Sequence, residues 1–277
     1  METPNTLYHY CSVETFLKII ECKTLRLCNI FESNDYMERE WIDRFIEDEL
    51  NGLGEKYKGF SSSLRDLYYR NKKHPVYVMA FCEKGDLLSQ WRGYSEDGAG
   101  FALGIDIKNI ALEHEFLVGP PCPSTDDKNT IGYWEVIYDV DLQKQHVADI
   151  IKRNLADDPS DKIQYLLKTF QAADGLIRWS AVTKNPAFSE EKEWRIMYTP
   201  RIDDTGIHGA IKDVKFIKKR NIISTCFELN FSQRSTLNEV ILGPKNLTDP
   251  KTVKLLLKNK GYDTTNIKIS KSNLSYR

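Results

Sequence analysis

Two glutamates and an arginine stand at alternate positions in the run Glu190-Glu191-Lys192-Glu193-Trp194-Arg195. In an extended chain successive side chains point to opposite faces, so Glu191, Glu193, Arg195 and Met197 would share one face while Lys192, Trp194, Ile196 and Tyr198 share the other. The second set is the natural core face, which directs the charged set to solvent or to a cleft. Two outcomes are open. Paired carboxylates can stabilise a developing positive charge or take a proton. Alternatively, the run is an exposed edge with an internal Glu–Arg pair of little energetic weight.

Other candidates are dispersed. His9 lies between Tyr8 and Tyr10, where an imidazole offers a donor and an acceptor in an apolar setting, whether as a satisfied structural residue or as a ligand contact. The block Ser89-Gln90-Trp91-Arg92-Gly93-Tyr94-Ser95 gathers aromatic rings and hydrogen-bonding groups beside a turn. It suits binding of a flat ring, or a helix packed through Trp91. No Walker phosphate loop, dinucleotide glycine fingerprint, His-Glu-x-x-His pair or Gly-x-Ser-x-Gly elbow occurs, which removes several common enzyme classes.

The elements that must position these residues follow from periodicity and capping. A strand at 6–10 precedes a helix capped by Ser12, then a strand at Thr24–Cys28. Ser33-Asn34-Asp35 reads as a turn and cap for a charged helix ending near Asn51-Gly52, and a second helix covers 61–72. Val76–Cys82 is a near-continuous apolar run, the pattern of a central strand covered on both faces. Asp86 is placed to cap a short helix with Leu87, Leu88 and Trp91 on one side. In the strand Phe101–Ile107 the small face of Ala102, Gly104 and Asp106 implies a close approach, by a packed element or a ligand. A strand at 132–138, helices at 141–156 and 160–178, strands at 191–199, 212–219, 221–231 and 240–243, a helix at 249–260 and a strand at 266–270 complete the chain.

Length and composition bound the class. With 277 residues, 41% hydrophobic and 29% charged, the chain reads as one globular domain over 1–277 with helical insertions near 35–73 and 141–178. No apolar run is long enough to span a bilayer and the N-terminus lacks a leader pattern, so a cytoplasmic protein without a membrane partner is expected. Six scattered cysteines suggest buried free thiols rather than a zinc site or a disulfide framework. Residues 206–277 carry 14 Lys and Arg against 5 Asp and Glu. That basic end could attract a phosphate-bearing partner such as nucleic acid or be a solvated lysine surface.

Leu7-Tyr8-His9-Tyr10, Asn34-Asp35, Phe81-Cys82, Trp91-Arg92-Gly93-Tyr94 with Gly98 and Gly100, Val136-Ile137-Tyr138, Glu191-Lys192-Glu193-Trp194-Arg195 and Val240-Ile241-Leu242-Gly243 together resemble the bacterial domain-of-unknown-function 2971 family. More remotely, the order of blocks is similar to the ADP-ribosyltransferase superfamily, including DarT-like toxins. That resemblance implies an α+β fold with a mixed, mostly antiparallel split sheet, and NAD as substrate. It further implies that His9 bonds the adenosine ribose, the backbone of Tyr10 holds the nicotinamide amide, and Tyr94 or Trp91 stacks on the nicotinamide. Glu193 would bind the nicotinamide-ribose hydroxyl, Glu191 would act on the acceptor, and Arg195 would hold a phosphate or fix the carboxylates. A toxin or phage-defence effector acting on nucleic acid or protein, under an antitoxin or regulator, is the setting it implies. Two other classes compete. One is a metal-dependent hydrolase using Glu191, Glu193 and Asp106 with Lys184 assisting. The other is a binding module in which Lys215, Lys218, Lys219, Arg220, Lys251, Lys254 and Lys258 dock on phosphates.

Overall fold

The computed structural model describes residues 4–32, 39–107, 110, 131–156, 161–203, 206–208, 211, 213–219, 221–231 and 236–276. The Ser33-Asn34-Asp35 turn, Cys122 and Arg220 lie outside the described residues. Strand β1 (Leu7–Cys11) leads into helix α1 (Val13–Cys22), whose Ser12 cap accepts the Thr15 N–H at 3.0 Å. Lys23 ends the helix in the left-handed region and the chain enters β2 (Thr24–Asn29). Helices α2 (Asp43–Gly52) and α3 (Lys58–Asn71) come before β3 (Tyr77–Cys82). Then follow α4 (Leu88–Tyr94), β4 (Phe101–Ile105), β5 (Ile131–Glu135), α5 (Val140–Arg153), α6 (Lys162–Ser180) and β6 (Glu193–Tyr198). A hairpin of β7 (Arg201–Asp203) and β8 (Gly206–His208), which the sequence pattern does not foretell, stands apart as a two-stranded sheet. The chain closes with β9 (Val214–Lys219), β10 (Ile222–Asn230), β11 (Leu237–Leu242), α7 (Pro250–Asn259) and β12 (Lys268–Lys271).

The large sheet is antiparallel except for the β11/β12 pair, in the order β12-β11-β4-β1-β3-β2-β10-β9, with β6 on the other edge of β3 and β5 beyond it. This is the mixed, mostly antiparallel architecture expected. Its distinctive feature is that β1 and β2 share one edge of β3. The first pairs only at Tyr8↔Cys82, the second only at Cys28↔Val78 and Asn29↔Tyr77. Between those contacts the sheet divides. The helix α1 links the diverging strands, and its Phe16, Ile19 and Ile20 enter one apolar core with Leu7, Leu25, Phe101 and Phe227. Phe16 stacks on Phe101 at 4.0 Å between ring centroids.

A second core explains the helical insertions. Helices α2 and α3 from one, and α5 and α6 from the other, bury Phe45, Ile46, Leu64, Tyr68, Val147, Ile151 and Leu176 together with Met197 of β6 and Trp134 of β5. Two segments distant in sequence thus form one layer over one face of the sheet, because neither helix pair could bury its apolar stripe alone. The small face of β4 is explained by packing. Ala102 lies under Tyr10, Trp91 and Ile241, and a Cβ on Gly104 would press against the Tyr8 ring and Glu239.

Candidate functional site

Strand β6 pairs along its length with β3 and β5 and is buried on both faces. Of the two outcomes left open for its charged side, solvent or a cleft, the exposed edge is corrected: that side lies under the helical layer, where Arg195 is buried beside Met197. Trp194, Ile196 and Tyr198 do fill the main core, and the Trp194 indole donates to Glu83 Oε1 at 3.1 Å. A second correction concerns the strand's start, at Glu193 rather than at Glu191. Pro186–Glu191 form a 3-10 turn, opened by the Asn185 side chain accepting the Ala187 N–H, and Lys192 has φ 41°. Strand alternation therefore does not reach Glu191.

What joins the two carboxylates is Lys184, in the segment between α6 and that turn. Its Nζ donates to Glu191 Oε2 at 2.6 Å and to Glu193 Oε2 at 3.2 Å. Arg195 grips Glu193 from behind, with Nε on Oε1 at 2.6 Å and Nη2 on Oε2 at 2.8 Å, while Nη1 donates to the Ala181 carbonyl at 2.6 Å. Ala181 is the C-cap of α6, the negative end of a helix dipole, which suits a guanidinium. Burial alone would raise the Glu193 carboxyl, but the Arg195 and Lys184 charges outweigh it and hold the carboxyl below the ordinary glutamate range. Two cations against two anions make a buried cluster of zero formal charge. Three donors are placed on Glu193, and a carboxylate has room for about four.

Tyrosines border the cluster. The Tyr94 hydroxyl donates to Glu191 Oε1 at 3.2 Å, and the Glu193 backbone N–H donates to the Tyr138 hydroxyl at 3.2 Å. Burial first, then the neighbouring Glu191 and Glu193 charges, pushes both phenols upward, so they stay protonated. From α5, the fully buried Gln143 amide donates to the carbonyls of Ile137 at 2.6 Å and Lys184 at 2.9 Å and accepts from the Trp41 indole at 2.8 Å. The helical layer thereby fixes the backbone that carries Lys184.

The face is not sealed. Ala80, in the middle of β3 and directly across from Arg195, is exposed, so an opening reaches the sheet there. At that residue the sheet divides, and the His9 Nδ1–H donates to the Ala80 carbonyl at 2.9 Å in place of a strand ladder bond. Withdrawal from water pulls the His9 pKa below its ordinary value, with the Ala80 bond acting weakly the other way. By alternation through Tyr8↔Cys82↔Glu193, His9 leaves the sheet on the face of Phe81 and Trp194, opposite to Glu193. Tyr10 is buried, its hydroxyl accepting the Leu87 N–H at 3.0 Å and donating to the Lys84 carbonyl at 2.7 Å. The two aromatic candidates differ in exposure. Trp91 is 0% exposed, edge-on to Tyr10 with its indole on Asp86 at 2.7 Å, so stacking on a ligand is corrected to a core role. Tyr94 is 43% exposed. Asp86 does not cap α4, whose N-cap is Leu87; it takes Trp91, Ser272 and the Asn273 N–H instead.

Residues 90–196 match the family model described as "Protein of unknown function (DUF2971)". Over that segment, less than half of its length, the chain is similar to the DUF2971 family. The DUF2971 segment runs from α4 to β6 and contains Tyr94, Tyr138, Lys184, Glu191, Glu193 and Arg195, the whole cluster described above. No curated protein and no solved structure matches the chain. Sequence reasoning gave no role to Tyr138, Gln143 or Ala181, since their contacts are made only by folding.

The competing arrangements are less well served. Asp106 follows β4, three strands and about 14 Å across the sheet from Glu193, and the Lys184 ammonium stands between the two carboxylates where a divalent cation would have to sit. Among the described residues no group of three His, Cys, Asp or Glu side chains could hold a metal. Nor do the C-terminal lysines form one patch. Lys215, Lys218 and Lys219 are on β9 at one end of the strand order, while Lys251, Lys254 and Lys258 are on α7, packed on β12 at the other. Among the described cysteines Cys11, Cys82 and Cys226 are buried, but Cys22 is exposed, and none is paired. No helix among the described residues is long and apolar enough to cross a membrane.

Proposed function

We propose that this chain transfers a glycosyl group from NAD, as an ADP-ribosyltransferase-like enzyme, with Glu193 at the reacting centre. The observation that carries it is a glutamate held anionic at the head of a central strand, beside the opening at Ala80 where the sheet divides. Cleavage of the ribose C1″–N bond sends the electron pair onto neutral nicotinamide and leaves an oxocarbenium-like ribose. A preorganised carboxylate stabilises that charge without reorganising at the moment of reaction. The remaining acceptor position on Glu193 takes the ribose hydroxyl. Glu191, already bridged to Lys184, receives the proton of the acceptor nucleophile as its lone pair bonds C1″. Tyr94, at the rim, supplies the ring face for nicotinamide.

His9 enters this scheme as a prop for the divided sheet rather than as a ribose contact, because it leaves the sheet on the face opposite Glu193 with its Nδ1–H on the Ala80 carbonyl. The acceptor proposed is a nucleic acid or protein nucleophile, in the setting of a toxin or phage-defence effector with a cognate regulator. The test is nicotinamide release from labelled NAD with cell lysate, using wild type, Glu191→Gln and Tyr94→Ala. Both substitutions spare the buried Glu193–Arg195 pair, so loss of turnover with an unchanged circular dichroism spectrum supports the proposal. Absence of nicotinamide release by the wild type across DNA, RNA and protein acceptors would sink it.

A further inference from the structure

The first half of α6 presents an apolar stripe that nothing among the described residues covers: Ile163 is 73% exposed, Leu166 66%, Leu167 57% and Phe170 54%. The second half of the helix behaves oppositely, burying Ala172, Ala173, Leu176 and Ile177 in the helical layer. Four large side chains this exposed amount to about 500 Å² of contiguous apolar surface, at the upper end of what monomers tolerate and commonly an interaction site.

We infer that this stripe is the interface of a homodimer, in which α6 packs antiparallel against α6 of a second copy. The spacing is the first reason. Positions 163, 166, 167 and 170 read the same in both chain directions, so a two-fold axis between Leu166 and Leu167 sets Ile163 of each copy on Phe170 of the other and Leu166 on Leu167. Those are the reciprocal contacts of an isologous interface, in which one patch serves both copies. Shape is the second. Most of the stripe also walls a groove of about 470 Å³ between α3 and α6, lined by Asp66, Leu67, Arg70, Leu166, Leu167 and Phe170 but not by Ile163. Each copy thus offers a projecting side chain and a recess to receive one. Charge is the third. Around the stripe Lys162 and Lys168 stand against Asp161, and Asp66 and Arg70 pair with each other, so the rim carries only a single net positive charge, too little to select a nucleic acid or a lipid surface. Two stripes with their polar rims bring the buried area to about 1,200 Å², the lower limit of a specific interface. Phe170 lies eleven residues before Ala181, about 16 Å along the helix, so dimerisation leaves the Glu193 cluster open.

Sedimentation equilibrium of the full chain tests this, and the outcome does not depend on the proposed enzymatic activity. Wild type is expected to be a dimer in the micromolar range, and Leu167→Glu to raise the dissociation constant at least about tenfold with an unchanged circular dichroism spectrum. Geometry is tested in a Cys22→Ser background with Ile163→Cys and Phe170→Cys. Oxidation should cross-link a mixture of the two variants, while each alone stays mostly uncross-linked. A wild type that is monomeric at about 100 µM, a dimer indifferent to Leu167→Glu, or cross-linking as efficient within each single variant as in the mixture would each overturn the inference.

Discussion

Arg195 holds Glu193 two residues back along its own strand, with two nitrogens on two carboxylate oxygens at 2.6 and 2.8 Å, and both side chains are buried. Same-face neighbours in a strand lie close enough for a guanidinium to fold back in this way. Removing one member of such a buried pair strands the other's charge. Arg195→Met should cost about 3–5 kcal/mol in urea denaturation, and the double variant Glu193→Leu/Arg195→Met should recover a large part of that loss.

The buried Gln143 amide connects the helical layer to the backbone of Lys184. Gln143→Leu removes the bonds to the Lys184 and Ile137 carbonyls and strands the Trp41 indole, at about 1–3 kcal/mol. If the site works as proposed, turnover should fall further than stability predicts, and residual nicotinamide release measured well below the melting range reads that difference.

Trp91 and Tyr94 should separate cleanly. Trp91→Ala removes a fully buried ring and should lower stability by about 3–5 kcal/mol. Tyr94→Ala changes an exposed ring and should stay within about 0.5 kcal/mol while weakening NAD binding. Calorimetric NAD titration of the two variants, beside their denaturation curves, checks the assignment.

His9 predicts a pH dependence. Its folded pKa lies below the ordinary value of 6.5, so the unfolded chain binds the extra proton first. The associated stability is complete above that value and is lost as pH falls from 6.5 through the lower folded value. A plot of urea midpoint against pH should fall through this window in the wild type, and His9→Asn should flatten it. An unchanged slope in that variant would assign the titration elsewhere.

Gly100 lies where β4 begins, and a Cβ there would overlap the Cys11 carbonyl oxygen and the Ser95 hydroxyl, which are themselves hydrogen-bonded to each other. Neither can yield without opening β1 against β4. Gly100→Ala should therefore cost about 1–3 kcal/mol or more, read from the thermal midpoint.

Local pattern was enough for much of the fold. The Ser12 cap, the apolar run of β3, the core face of Trp194, Ile196 and Tyr198, and the placement of most strands and helices follow from hydrogen-bonding chemistry and side-chain period, which act over a few residues. The candidate carboxylates, Arg195 and Tyr94 were visible for the same reason. What the sequence could not decide was which surfaces meet. That β6 is interior, that insertions some 70 residues apart close over it, and that Lys184 rather than strand alternation joins Glu191 to Glu193 are consequences of long-range packing. His9 shows the limit most clearly. Its place between two tyrosines left a structural role and a ligand contact both open, and the division of the sheet at Ala80 left a carbonyl without a ladder partner, which the imidazole satisfies.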